Sequence, residues 1–317
     1  MENKEQSQNS ELKTNSKKIC SKISFSISIA FVITEVILGI LLVTVLGISY
    51  ILGFFNIFNQ VQKIVSINSL VGPLATLIWY PIVFKMLKNL PRENTTKEEF
   101  SKKSLFKFFW IACSLMYMGS FLITQVIYFL SKNNLANPIA DALWGDEWII
   151  SVIYMIVLAP ILEELLFRKL FISVVLPYGE RLALIFSSVC FSLMHGNLVQ
   201  IFYTFMGGLV LGYVYIKSKN IKDTILLHFC INVVGILPTL ITRFAGNKNL
   251  DIIGLFIVFV ITIVGLVLLF KNYRKWSLKK SELSLKEELR VIFLNPGTIL
   301  FIILVFIGPL LNMVLQS

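Results

Sequence analysis

The chain has 317 residues, 56% of them apolar and 15% charged, with a formal net charge of +11. A soluble domain is about half apolar and about a quarter charged, so a soluble fold is excluded. The basic residues sit in short segments between apolar runs, which excludes a nucleic-acid partner and points instead to membrane lipid. Cys20, Cys113, Cys190 and Cys230 are scattered and form no CxxC pair, so they give neither a disulfide framework nor a zinc cluster.

Residues 1–24 are polar and Lys-bearing, unlike a cleavable signal, and are expected to form a disordered cytoplasmic tail. Nine apolar segments follow at 25–55, 64–84, 105–130, 148–176, 182–196, 198–216, 223–242, 251–270 and 297–315. A helix needs about 20 apolar residues to cross the bilayer core. The fourth segment is interrupted by Pro160 and a charged cluster, and the fifth is short for a crossing. The expected fold is all-α, a polytopic transmembrane helix bundle of about eight to nine membrane segments.

Basic content alternates along the connecting segments. Lys4, Lys13, Lys17, Lys18 and Lys22 precede the first apolar run, and Lys85, Lys88, Arg92, Lys97, Lys102, Lys103 and Lys107 follow the second. Lys217, Lys219 and Lys222 follow the sixth, and Lys271, Arg274, Lys275, Lys279, Lys280, Lys286 and Arg290 follow the eighth. The loop holding Asp141, Asp146 and Glu147 is acidic. The positive-inside rule then places the N-terminus in the cytoplasm of a multi-pass protein of the cell membrane, and the abundance of Ile, Lys and Asn points to a bacterial source. Trp79, Tyr80, Trp110, Trp144 and Trp148 lie near segment ends, as interfacial aromatics do. Gly208 and Gly212 form a GxxxG that allows close helix packing. The stretch around 271–296 reads as a short amphipathic helix on the inner surface.

Ionisable groups inside a bilayer are costly and mark functional candidates. The strongest group is Glu163, Glu164 and Arg168 in LAPILEELLFRKL, followed by His195 in FSLMHGN and by His228 with Asn232 in LLHFCIN. His195 and His228 are the two histidines of the chain. Glu164 and Arg168 are four residues apart, so they share a helix face and can pair. Glu163 is rotated by about 100° from that pair and is left free of it. His228 and Asn232 also share a face, and Phe191 is spaced to pack beside the His195 ring. A carboxylate in a low-dielectric site can act as a general base on water, and imidazole and carboxamide N–H groups can stabilise an oxyanion. The same Glu163, His195 and His228 could instead hold a zinc ion. Each residue also has a plain structural role: a lone intramembrane His is as often a helix-to-helix hydrogen bond, and Glu164 with Arg168 reads as structural. Glu35, about ten residues into the first segment, stands apart and is expected to face a polar partner.

These residues resemble the type II CAAX protease and bacteriocin-processing family of intramembrane proteases, which includes the Ras-converting enzymes. Its EExxxR motif is present as Glu163-Glu164-Leu165-Leu166-Phe167-Arg168, its FxxxH as Phe191 to His195, and its third motif as His228 to Asn232. The resemblance covers about residues 145–245. It implies a bundle with a site inside the membrane, open to the cytoplasm. Glu163 would be the general base, His195 would help activate water, His228 and Asn232 would form the oxyanion hole, and Glu164, Arg168 and Phe191 would support them. It leaves a metal-dependent and a metal-free glutamate mechanism both open. The chain then divides into N-terminal transmembrane helices at 25–147, a catalytic core at 148–245 and C-terminal transmembrane helices at 246–317.

One spacing conflicts with a shared site. Counted from Arg181, His195 lies about 21 Å along a straight helix, whereas His228 is about 9 Å from Lys222. A long fourth helix and an irregular 170–181 region would resolve this. The expected function is an intramembrane endopeptidase acting on a membrane-associated, lipidated or bacteriocin-like peptide or protein. The alternatives are a proton-coupled transporter and a catalytically idle scaffold or bacteriocin immunity protein. Against the transporter, the two halves show no repeat symmetry.

Overall fold

The computed structural model describes residues 2–51, 68–93, 100–131, 148–245, 248–279 and 281–315. The acidic loop at Asp141, Asp146 and Glu147 lies outside them. Within the described residues all regular structure is helical. Hydrocarbon leaves no water for backbone N–H and C=O groups, so apolar runs of this length satisfy them internally as helices.

The helices are α1 (Glu2–Ile51), α2 (Asn68–Leu87), α3 (Lys102–Ser131), α4 (Trp148–Tyr178), α5 (Glu180–Leu193), α6 (Leu198–Ser218), α7 (Ile221–Ala245), α8 (Lys248–Asn272), α9 (Leu285–Phe293) and α10 (Pro296–Leu315). Six are long and apolar enough to cross a membrane, or seven if α9 and α10, bent by 60°, count as one span. The expected eight to nine crossings are therefore not reached among the described residues. Helix α5 has 14 residues, about 21 Å, too short for a 30 Å core, and α2 offers the shorter apolar stretch Thr76–Leu87.

Residues 2–24 differ from the expected disordered tail: they form the first half of α1. The cause is packing at its inner end. Cys20, Ile23 and Ile27 are buried, and the Lys13 Nζ donates to Glu287 Oε1 of α9 at 3.2 Å. Helix α10 docks on α1 through Ser24 and Thr298, whose hydroxyls lie 2.9 Å apart. Asn295 caps α10, accepting from the Thr298 N–H, and Pro296 begins the helix, where its missing N–H is harmless. The free N–H of Gly297 donates to Ser21 Oγ.

Helix α4 is the axis of the bundle, touching α1, α2, α5, α6 and α7, while α3 joins α6, α7 and α8 on the other side. It turns into α5 through a 3₁₀ turn at Leu176–Tyr178 and Gly179, whose φ of 135° suits only glycine. The irregularity expected at 170–181 is thus present. The amphipathic helix expected near 271–296 is α9, with Ser284 and Glu287 as its capping box. Its inner side locks the basic end of the bundle: Glu288, fully buried, pairs with Arg181 of α5. Beside it, Glu180 accepts from Lys217 Nζ at 2.9 Å and from the Lys279 N–H at 2.8 Å. Burial raises the Glu180 carboxyl, but these bonds and the charges of Lys217 and Lys219 outweigh it and hold it below the ordinary carboxylate range.

Candidate active site

Pro160 shapes the site from within α4. A proline in a helix removes one N–H and clashes with the carbonyl four residues back. Here the backbone widens into a π-helical turn at Tyr154–Leu158, in which the Ala159 N–H donates to Tyr154 O. Met155 then has no helical donor, because Ala159 is taken and Pro160 has no N–H. Asn232 of α7 fills the gap, its Nδ2 donating to Met155 O at 2.7 Å. A normal α-helical segment, Ala159–Glu163, carries Glu163, and a second π stretch, Glu164–Ile172, carries Glu164 and Arg168. Ser187 of α5 braces this second stretch by donating to Phe167 O at 2.8 Å.

Glu164 and Arg168 pair as their spacing predicts, Nε to Oε2 at 3.2 Å, both fully buried. Glu164 also accepts from His228, Oε1 to Nδ1 at 2.9 Å. Glu163 stays outside that pair, its Oε2 3.7 Å from His228 Nε2. His228 therefore stands between two carboxylates. The hub of the cluster is Phe191. Its ring centroid lies 5.0 Å from that of His195, 5.8 Å from that of His228 and 5.2 Å from that of Phe167, and the Arg168 guanidinium stacks over it at 4.5 Å. The conflict in depth between the histidines is resolved by this ring, which touches both. His195 lies past the end of α5, in the turn before α6, its Nδ1 2.8 Å from Phe191 O.

Hydrogen-bond partners fix what each imidazole can do. The Phe191 carbonyl accepts only, so His195 carries its proton on Nδ1, and neutral His195 leaves Nε2 as an acceptor. The Glu164 carboxylate likewise takes the Nδ1 proton of His228. To donate from Nε2 as well, His228 must be the imidazolium, a form with a carboxylate at each nitrogen. Asn232 has two amide protons, of which Met155 O takes one.

The zinc alternative asks for three ligands. Among the described residues no three His, Cys, Asp or Glu side chains come together in a group that could hold a metal ion. The set Glu163, His195 and His228 does not fit a metal in this arrangement.

The sequence did not single out Asn232 as a partner of Met155, although Pro160 five residues after Met155 is a signal for an unpaired carbonyl. It also missed Ser187, Tyr154 and Tyr203, the last two within electrostatic reach of Glu163. The Tyr154 hydroxyl lies 3.0 Å from that of Thr76 and ties α4 to α2. Glu35, expected to face a polar partner, is exposed on α1 and has no such partner among the described residues. Gly208 and Gly212 allow the close approach expected of them, between α6 and α5.

No curated protein and no solved structure matches the chain. The segment that holds all three motifs does find a family: residues 145–234 match the type II CAAX prenyl endopeptidase Rce1-like family, a match that supports a protease.

Proposed function

We propose that this chain is an intramembrane endopeptidase that hydrolyses a peptide bond of a membrane-associated or lipidated peptide or protein. The observation that carries this reading is that His195 and His228 both pack on Phe191, with Glu163 Oε2 3.7 Å from His228 Nε2, within the segment that matches the family. Glu163 takes a proton from a water molecule, whose oxygen attacks the scissile carbonyl carbon. Neutral His195 accepts a hydrogen bond from the same water at Nε2 and orients it. The carbonyl oxygen becomes an oxyanion, which receives Nε2–H of the His228 imidazolium and the second amide N–H of Asn232. When the tetrahedral intermediate collapses, the C–N bond breaks and Glu163 returns its proton to the leaving amine. Glu164, Arg168 and Phe191 hold these groups in place. The N-terminus and the basic end of the bundle face the cytoplasm, and the membrane is bacterial.

The test uses detergent-purified protein with a fluorogenic prenylated CAAX-type peptide and a set of membrane-peptide precursors. Cleavage should vanish in Glu163→Ala and in His228→Ala. Cleavage that survives in Glu163→Ala overturns the assignment of the base. A chelator arm separates the mechanisms: activity kept in chelator supports the glutamate form, and activity lost and restored by zinc replaces it. Ion flux in proteoliposomes without cleavage would mark a transporter, and peptide binding without either a scaffold.

A further inference from the structure

Glu35 is left over from the site. It belongs to α1, within the apolar span Ser7–Leu41, and it is exposed. Its depth follows from α10, whose apolar run starts at Pro296 directly after the bend from α9. Ser21 and Ser24 of α1 meet Gly297 and Thr298 there, so α1 enters the bilayer at that level. At about 1.5 Å per residue, Glu35 lies roughly 16 Å deeper than Ser24, close to the middle of a 30 Å core. No hydrogen bond or ion pair holds its carboxylate among the described residues.

The helix around it is bare as well. Val32, Val36, Ile40 and Leu41 are exposed, and Val43 is 70% exposed. A Cβ built on Gly39 or on Gly47 would meet nothing within 4 Å. Glu35, Gly39, Val43 and Gly47 follow one another at four-residue intervals and so line one side of α1. Helices in lipid associate through small residues that let backbones approach, with polar side chains bonding across the contact. A carboxyl group facing hydrocarbon, with no partner among the described residues, is too costly to be neutral decoration.

We propose that the outer half of α1 is a docking face for a partner transmembrane helix that carries a basic side chain near the bilayer centre, with Glu35 as the anchor and Gly39 and Gly47 as the points of close approach. Charge decides the occupant. Among the described residues, a second copy of this chain offers no cation at that depth on a lipid-facing surface. Arg168 is fully buried and paired with Glu164. Lys169 is exposed, but it lies one turn from Ser173, whose carbonyl accepts from the Glu93 N–H in the loop after α2, and so sits near the basic surface. A partner helix that brings its own Lys, Arg or His therefore fits this face.

The test reconstitutes the full chain in phosphatidylcholine vesicles with a fluorescent label on its N-terminus. The probes are synthetic single-span Leu/Ala helices bearing Lys, Leu or Glu at the centre, and energy transfer reads binding. The Lys helix should bind wild type about tenfold more tightly than the Leu helix, and the Glu helix no better than the Leu helix. Glu35→Leu should erase the preference for Lys, and Gly39→Leu should weaken the Lys helix while keeping the sign of the preference. Glu35→Leu should also leave the thermal midpoint unchanged or higher. A midpoint that falls would mean that Glu35 serves the fold and would overturn the proposal. Equal binding of the Lys and Leu helices, or a preference that survives Glu35→Leu, would do so too. Self-association of two labelled wild-type pools that is lost in both Glu35→Leu and Lys169→Leu would make a second copy the occupant, against the proposal.

Discussion

Replacing Gly208 by Ala tests whether Phe191 is set by the close approach of α5 and α6. A methyl group at Gly208 would lie 3.1 Å from Ser188 Cβ, 3.2 Å from Ser188 Cα and 3.3 Å from Phe191 Cδ1. Carbon atoms rest at about 3.5–4.0 Å, so α5 must move by several tenths of an ångström, and one of its contacts is backbone. Overpacking of this kind costs about 1–3 kcal/mol, offset by about 1 kcal/mol from the lost freedom of a helical glycine. The net expectation is a loss of up to about 2 kcal/mol. Two other glycines grade the effect. At Gly212 the new methyl meets the tip of Leu184 at 2.7 Å, which can rotate away, so the change should be near neutral. At Gly235 of α7 nothing lies within 4 Å, so Ala should stabilise by about 0.5–1 kcal/mol. Thermal unfolding in detergent should rank the midpoints Gly235→Ala, then Gly212→Ala, then Gly208→Ala. Because Phe191 carries Arg168 and touches both histidines, Gly208→Ala should also reduce peptide cleavage more than Gly212→Ala does. A Gly208→Ala protein as stable as Gly235→Ala and equal to wild type in cleavage would refute the argument.

Three further outcomes follow from other contacts. Asn232→Ala should lower stability by about 1–3 kcal/mol, the cost of leaving the half-buried Met155 carbonyl unpaired. Pro160→Ala, which returns an N–H to α4, should recover part of that loss, and a double-mutant cycle on thermal midpoints with no coupling between the two would reject the link. Arg181→Ala strands the buried Glu288 carboxylate and should cost about 1–3 kcal/mol, checked by the same unfolding measurement against Arg181→Lys. Stability should also fall in acid through Glu180. Its folded pKa is depressed, so its contribution is present above the ordinary carboxylate range near 4.3 and is lost as pH falls through the lower folded value. Glu180→Gln should flatten that acid limb of a midpoint-against-pH curve; an unchanged limb would assign it to other groups.

The motif residues were legible because their chemistry has a fixed period. Glu164 with Arg168, and Phe191 with His195, are in contact four residues apart, as helix geometry requires. What the period could not show was a change of winding. The first π turn of α4 follows from Pro160 and leaves a backbone carbonyl to Asn232, a partnership 77 residues apart in sequence. The tail at 2–24 read as disordered because its composition is polar, yet its helix is held by Ser24 with Thr298 and Lys13 with Glu287, both from the far end of the chain. Eight to nine crossings are not reached among the described residues, in part because an apolar run such as α5 need not be long enough to span. The surroundings of Glu35 are a matter of which helices pack, and no local pattern carries that.

The closure of α1 by α9 and α10 has a consequence for how the protein is made. Ser24 and Thr298 are separated by 274 residues. At a ribosome speed of about 5–20 residues per second, roughly 15–55 s pass between the synthesis of one and that of the other. Through that interval α1 sits in the membrane with Ser21 and Ser24 lacking their partners, available to chaperones, proteases and other nascent helices. A nascent chain halted before residue 281 should stay sensitive to protease along residues 7–24, and resistance should appear only when the last helix has been inserted.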